Sequence, residues 1–380
     1  MKNIKILFDY KITKKFHTLY SSYFEYPPKG IVYSKAEFKG IGKRTFSPLR
    51  SIYKLLKSSL KISPNFEQKI IDSLRKDSNF DIVHFANHLG RSNKPFVMDY
   101  EHVGSFINNK ISSEKNKREA IKLLSQKNLK CLLPIHKAAL KTFELYFKDS
   151  NLKINQKVLY PVTFIPENAR KNVKKENIVI FGGSSNIKND ISFYIKGGYE
   201  TLLAFERLAK EFPNTKFIYL GQVPSSIKIK KYKNIIVKEV IPLNELYDLL
   251  NKSKIFLQPC YATPAMMFLI AMFFKLPIIT YDSWANNEYV DSKSGILIKP
   301  KTDIMDEFNI PSNSLETISK IKKNGLKNSL EINKTIRFLL KNEDKRKKMG
   351  EEGFKKVTKG KFSIEERNKR IKEIYEKALK

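Results

Sequence analysis

Short apolar runs alternate with amphipathic stretches along most of this chain. Residues 4–8 (Ile-Lys-Ile-Leu-Phe) predict a buried first strand ending at Asp9. Asp81 to Phe85 and Pro95 to Tyr100 predict two more, the first preceded by a helix over Phe66 to Arg75. The pattern restarts at Asn177 with Ile178-Val179-Ile180-Phe181-Gly182-Gly183. A helix over Gly198 to Glu211 follows, with apolar Leu202, Leu203, Phe205 and Leu208, and then a strand at Lys216 to Gly221. After Asn234 to Val237 come a helix (Leu243 to Leu250), a strand (Lys254 to Pro259), a helix (Pro264 to Phe274) and a strand (Leu276 to Thr280). Strands this short, separated by helical stretches, read as parallel βαβ units, because parallel neighbours need a crossover between them. The chain is therefore expected to form two doubly wound α/β halves joined near Val162 to Asn177, a stretch with Pro166 and many charges. Two long charged helices should close it, about Leu330 to Lys356 and Ser363 to Leu379. The last carries Ile364, Ile371, Ile374, Tyr375 and Ala378 at helical spacing, one apolar face for docking.

Ligands of doubly wound folds sit at the carboxyl ends of the strands. One helix start is well placed to serve there. Thr263 suits an N-cap and Pro264 the first helical position, which leaves the amides of Ala265, Met266 and Met267 to meet an anion. The same pattern also fits an ordinary core helix whose first turn is hydrated. Gly182 and Gly183 either let the backbone approach a pyrophosphate or only turn the chain. Lys196, just before Gly197-Gly198, either neutralises phosphate or is one solvated lysine among many. There is no P-loop pattern and no six-residue dinucleotide fingerprint. Without an Asp-x-Asp pair or clustered His, Cys and carboxylate ligands, no metal is expected.

Composition sharpens this picture. With 380 residues, 41% of them hydrophobic, the chain is long enough for two cores. Two cysteines, Cys131 and Cys260, exclude a disulfide framework. The longest apolar run, Ala265 to Phe274, is too short for a bilayer, and the Met1 to Phe8 segment is too short for a signal peptide, so a cytoplasmic location is expected. Lys and Arg number 72 against 38 acidic residues, a net charge of +34. Within residues 47–62, Arg50, Lys54, Lys57 and Lys61 fall on one helical stripe and Leu49, Ile52, Tyr53, Leu56 and Leu60 on another. Such a basic amphipathic helix either lies on anionic lipid at the inner face of the cell membrane or docks on a core with its charges solvated. The remaining cations are spread out, without the interleaved aromatics of a nucleic-acid site, so no nucleic-acid partner is expected.

In order and wording these segments resemble the group 1 (family 4) glycosyltransferases of the GT-B fold. Lys196-Gly197-Gly198 to Phe205 is similar to the family's Lys-Gly helix start. The Val240 to Leu250 stretch, Gln258-Pro259-Cys260, Ala271 to Ile279, and Asn287-Glu288-Tyr289-Val290 to Ile298 resemble segments that follow in the family. The tail from Arg346 to Tyr375 is similar to the family's helix that crosses back to the first domain. The resemblance implies two Rossmann-like domains facing across a cleft. Residues 1–165 would form the acceptor side, 166–361 the nucleotide-sugar side, and 362–380 the returning helix. It implies retaining, metal-independent transfer from a UDP- or GDP-sugar to a glycan or lipid-linked acceptor, with no further cofactor. It gives donor contacts to Gly182, Gly183, Lys196, Thr263, Ala265, Met266 and Glu288, and an active-site role to His102; His84 resembles a structural histidine. Two departures stand out. Ala262 and Ile270 occupy the positions of the family's usual Glu pair, and Gly183 stands at or near its donor-clamping Arg. These departures keep open an alternative, a non-catalytic relative acting as a binding or scaffolding subunit.

Overall fold

A computed structural model describes residues 3–10, 18–35, 79–107, 111–183 and 190–380. The chain divides into two compact units: Met1–Tyr160 with Glu365–Lys380, and Pro161–Ile364. The predicted helix over 66–75 and the basic stripe of Arg50, Lys54, Lys57 and Lys61 lie outside the described residues.

The first unit is built on a five-stranded parallel sheet of order β2-β1-β3-β4-β5. Its strands are β1 (Ile4–Tyr10), β2 (Ile31–Lys35), β3 (Ile82–Ala86), β4 (Phe96–Tyr100) and β5 (Leu129–Pro134). Helices α1 (Thr18–Glu25), α2 (Glu114–Leu124) and α3 (Lys137–Tyr146) connect them. The inner strands β3 and β4 are buried at every position. Covered on both faces, they read as continuous apolar runs rather than alternating ones. β2, with only Ile31 fully buried, is the exposed edge, and its polar alternation left it unmarked in the sequence. Register is set by pairs such as Ile6 opposite Ile82 and Val83 opposite Phe96.

A parallel sheet of six strands forms the second unit, in the order β11-β10-β9-β6-β7-β8. They are β6 (Ile178–Gly182), β7 (Lys216–Leu220), β8 (Ile235–Lys238), β9 (Ile255–Leu257), β10 (Ile278–Tyr281) and β11 (Gly295–Ile298). Six helices accompany them: α4 (Asp190–Ile195), α5 (Gly198–Glu211), α6 (Leu243–Lys252), α7 (Ala265–Phe273), α8 (Asn286–Tyr289) and α9 (Leu315–Lys341). α10 (Glu343–Thr358) ends this unit, and α11 (Ile364–Ala378) belongs to the first. The strand order reverses between β6 and β9, and the crevice beyond their carboxyl ends is where a doubly wound sheet holds a ligand.

Two predicted elements differ. The single helix expected over Leu330 to Lys356 is two helices, and the first begins at Leu315. Asn342 (φ −116°, ψ 83°) breaks it, and the Asn342 side-chain amide donates to the Phe338 carbonyl. The Arg346 guanidinium then donates to the carbonyl of Leu339 at 2.7 Å, satisfying an acceptor that a helix end leaves open. At α7 the expected Thr263 cap is absent: the helix starts at Ala265, with Pro264 before it and no side-chain cap.

α11 is held to the first sheet by polar and apolar contacts together. Ile371, Ile374, Tyr375 and Ala378 enter the same core as Ile6, Phe8 and Val97. Buried Arg367 donates to the Ser22 hydroxyl and the Ser22 carbonyl, each at 3.1 Å, and lies over the Tyr23 ring.

Candidate functional site

In the second unit the loops beyond β6, β9 and β10 converge. Gly197 starts α5 in the left-handed conformation (φ 77°), and a Cβ there would sit 2.0 Å from the Pro259 carbonyl oxygen. Only glycine meets both demands. The close approach places Lys196 beside the β9–α7 loop, and the Tyr261 amide donates to the Ile195 carbonyl at 2.9 Å. Half-buried Lys196 makes no ion pair among the described residues, and its charge reaches Cys260. Burial pushes that thiol up to about 11, and Lys196 offsets part of the shift.

Thr263 has a different task from the expected cap. Its hydroxyl accepts from the Ala285 amide at 3.2 Å, which ties the start of α7 to the short helix that carries Glu288. Behind this contact, the fully buried Asn286 side-chain amide donates to the carbonyls of Cys260 (2.8 Å) and Tyr281 (3.0 Å). Residues 262–267 remain half-buried, so the helix start is reachable from solvent. The Met267 amide bonds the Pro264 carbonyl at 2.9 Å, so two amides, those of Ala265 and Met266, are open among the described residues where three were expected. Gly182 lies under this turn, where a Cβ would meet the Met267 side chain at 3.2 Å. The Gly183 amide is taken by the Leu220 carbonyl at 2.6 Å, so it holds the turn and does not face a ligand. Gly182, Lys196, Thr263, Ala265, Met266 and Glu288 thus gather at the carboxyl end of one sheet, and the open amides with Lys196 form a cationic corner suited to a diphosphate. Ala262 and Ile270, both half-buried, flank it with apolar side chains.

Sequence reasoning missed what supports this corner from below. Glu200, in the first turn of α5, is fully buried. Its Oε1 accepts from the Tyr261 hydroxyl at 3.0 Å, and that hydroxyl accepts from Asn328 on α9 at 3.1 Å. Burial raises this carboxyl to about 7, and hydrogen bonding from Tyr261, Asn328 and Tyr281 offsets part of the shift. A Glu on the apolar side of a helix was the available signal.

In the first unit the matching loops follow β3 and β4. Asp99, at the end of β4, gathers three partners: the Tyr20 hydroxyl (2.9 Å), the Asn87 amide (2.9 Å) and His84 Nε2 (3.0 Å). Burial first, then Asp99, raises the Tyr20 phenol well above its ordinary value. His84 Nδ1 meets the Tyr375 hydroxyl of α11 at 2.7 Å, so this histidine holds the returning helix. His102 caps the short 3-10 turn Val103–Phe106, its Nδ1 accepting from the Gly104 amide at 3.1 Å. His102 itself is half-buried, beyond the end of β4. Asn87 (φ 53°) orients the segment, because its Oδ1 accepts from the Glu101 amide and the Ser105 hydroxyl. Among the described residues no group of three His, Cys, Asp or Glu side chains is placed to hold a metal ion.

Residues 177–309 match the family model described as glycosyl transferases group 1. The match falls within the second unit and spans its sheet from β6 to β11. Solved structures extend the fold likeness to the whole chain. Anabaena Alr3699/HepE in complex with UDP superposes with a TM-score of 0.59 at 13% identity, covering 99% of this chain and 100% of that one. WaaG, a glycosyltransferase involved in lipopolysaccharide biosynthesis, gives 0.55 at 14% identity over 98% and 99% of the two chains. Sucrose-phosphate synthase from Thermosynechococcus elongatus gives 0.55 at 13% identity over 90% and 82%. No curated protein matches the sequence significantly. At these identities the structural likeness establishes a GT-B fold, two parallel-sheet α/β domains, and the enzyme class comes with the matched domain.

Proposed function

We propose that this glycosyltransferase moves a sugar from a nucleotide-sugar donor, UDP- or GDP-linked, to a glycan or lipid-linked acceptor, with retention and without a metal or further cofactor. One observation carries the reading: Lys196, without an ion pair among the described residues, stands beside a helix start whose Ala265 and Met266 amides have no partner among them. A cation and oriented N–H groups stabilise charge developing on a leaving diphosphate, and they do so without reorganising. Structures of similar fold captured with UDP support the nucleotide class. Glu288 is proposed to contact the donor sugar. His102 is proposed to face the acceptor from the first unit. Residues 1–165 would serve the acceptor, 166–361 the donor, and 362–380 the return of the chain.

A cytoplasmic location with peripheral contact at the inner membrane face fits a lipid-linked acceptor. Among the described residues no helix is long and apolar enough to cross a membrane. The basic stripe of Arg50, Lys54, Lys57 and Lys61 is one proposed contact.

Titration calorimetry with UDP, GDP and their sugar conjugates tests the donor half. At least one should bind, and Lys196→Ala should weaken it about tenfold, the loss of one charge-assisted contact. No binding by any nucleotide would overturn the reading. Binding without turnover on any acceptor would favour the binding-subunit role that Ala262 and Ile270 raise. The anomeric configuration of the product, read by NMR, tests retention.

A further inference from the structure

Helix α9 has two unlike faces. Its inner face packs on α5 and carries buried Ile321, Ile332 and Ile336. The outer face is not simply polar. Leu326 is 54% exposed, Leu330 48% and Phe338 40%. Between and beside them stand exposed Lys323, Lys327 and Lys334. The spacing from Lys323 through Leu326/Lys327, Leu330, Lys334 and Phe338 is i, i+3/i+4, i+7, i+11, i+15, which keeps all six on one stripe. At 1.5 Å per residue the stripe is about 22 Å long. It is strongly one-signed: the helix holds seven Lys and Arg against Glu316 and Glu331. Glu316 is paired with Lys320, and half-buried Glu331, four residues after Lys327 and three before Lys334, borders the stripe and offsets one of its charges. A further cation, Lys345, stands 5.3 Å from the Phe338 ring centre.

We propose that this outer stripe of α9 is a docking surface for an anionic lipid bilayer, with Leu326, Leu330 and Phe338 entering the headgroup boundary and the lysines meeting lipid phosphates. The physical argument is complementarity in two respects at once. Apolar side chains left half in water gain by entering the acyl boundary, and cations flanking them gain from a negative surface. Nucleic acid fits less well. Aliphatic leucines offer no stacking face, and the stripe holds one aromatic where a single-strand site interleaves several. The surface deepens the membrane-contact part of the proposed function and rests on it, but it adds a second contact region, on the nucleotide-side unit and independent of residues 47–62.

Vesicle flotation of the full chain tests it. With about 30% phosphatidylglycerol in phosphatidylcholine, the wild type should float, and with phosphatidylcholine alone it should not. Leu326→Ser/Leu330→Ser/Phe338→Ser leaves the net charge unchanged, so general attraction of a basic protein to anionic lipid is unchanged too. This variant should lose about tenfold in apparent affinity with no change in melting temperature, since all three side chains are exposed. Val240→Ser/Leu243→Ser, at residues 66% and 57% exposed elsewhere in the same unit, should bind as the wild type does. Phe338→Trp should show blue-shifted emission and quenching by brominated lipid.

Equal binding by the triple-serine variant would overturn the α9 assignment and leave the membrane reading standing. Failure of the wild type to float would remove both, and leave sugar transfer to a soluble acceptor untouched. If Lys323→Glu/Lys327→Glu/Lys334→Glu abolished oligonucleotide binding without affecting flotation, the surface would be assigned to nucleic acid and the lipid proposal dropped.

Discussion

Each unit buries a carboxyl near the carboxyl ends of its strands, and the two are handled in opposite ways. Asp99 is surrounded by partners: a phenol, a backbone amide and an imidazole, the last bonded in turn to Tyr375. Glu200 accepts from Tyr261 at 3.0 Å and is only partly offset by its own backbone amide, Asn328 and Tyr281, while its Oε2 has no partner in hydrogen-bond geometry among the described residues. Burying a carboxylate is tolerable only if hydrogen bonds replace its water. The first centre meets that condition and spends it on architecture, holding α1, β3 and the returning α11 on one side chain. The second does not, so its carboxyl is raised to about 7 and its charge depends on pH. The lesson is that donors around a buried acid decide how far burial raises it, as the unpartnered Oε2 of Glu200 shows.

The sharpest way to break this contrast is at the hub's far end. Tyr375→Ala removes a fully buried ring and the partner of His84. The expected loss is about 4 kcal/mol. Hydrogen exchange should locate it in β1 and β3 while β6 and β9 stay protected. Equal loosening of both units would show that α11 does not belong to the first unit alone.

Next in size is the pH dependence set by Glu200. Its folded value is above the ordinary 4.5, so between about 4.5 and 7 the folded state binds more protons than the unfolded one. Stability should therefore fall as pH rises through that window, and level off above it. The full effect is about 3 kcal/mol from the raised value. Urea titrations from pH 5 to pH 8 should show this slope in the wild type and lose it in Glu200→Gln. An unchanged slope in the variant would place the titration elsewhere.

Tyr20→Phe probes the better-satisfied hub by removing one of its three partners. A cost of about 1.5 kcal/mol is expected in urea unfolding. No measurable cost would show that the hub does not depend on this donor. The smallest effect on stability should come from Lys196→Ala, whose half-buried side chain pairs with nothing among the described residues. Its melting temperature should match the wild type even though nucleotide binding weakens, and a large drop would recast Lys196 as structural.

Much of the fold was legible along the chain because parallel strands buried on both faces need uninterrupted apolar residues. Ile178 to Phe181 and Ile255 to Leu257 announce themselves that way. Edge strand β2 did not, since one covered face gives only alternation over five residues. The break at Asn342 was hidden as well. Lys, Glu and Asp on either side are good surface helix residues, and the capping reach of Arg346 to Leu339 is a tertiary detail. At the candidate site, Lys196 and the start of α7 could be picked out by local pattern, whereas the use of the Thr263 hydroxyl by Ala285 could not.

By itself the sequence determined the two parallel-sheet α/β units, the apolar face of the last helix and the one-signed charge. All of these depend on near neighbours in the chain, through period and composition. Only the tertiary structure decided that Asn286 joins two loops, that the last helix is fastened through His84 and that Glu200 Oε2 lacks a partner among the described residues. Those facts depend on residues as many as 291 positions apart meeting in space, as His84 and Tyr375 do, and whether a buried polar group is satisfied is a property of that meeting and of no single segment.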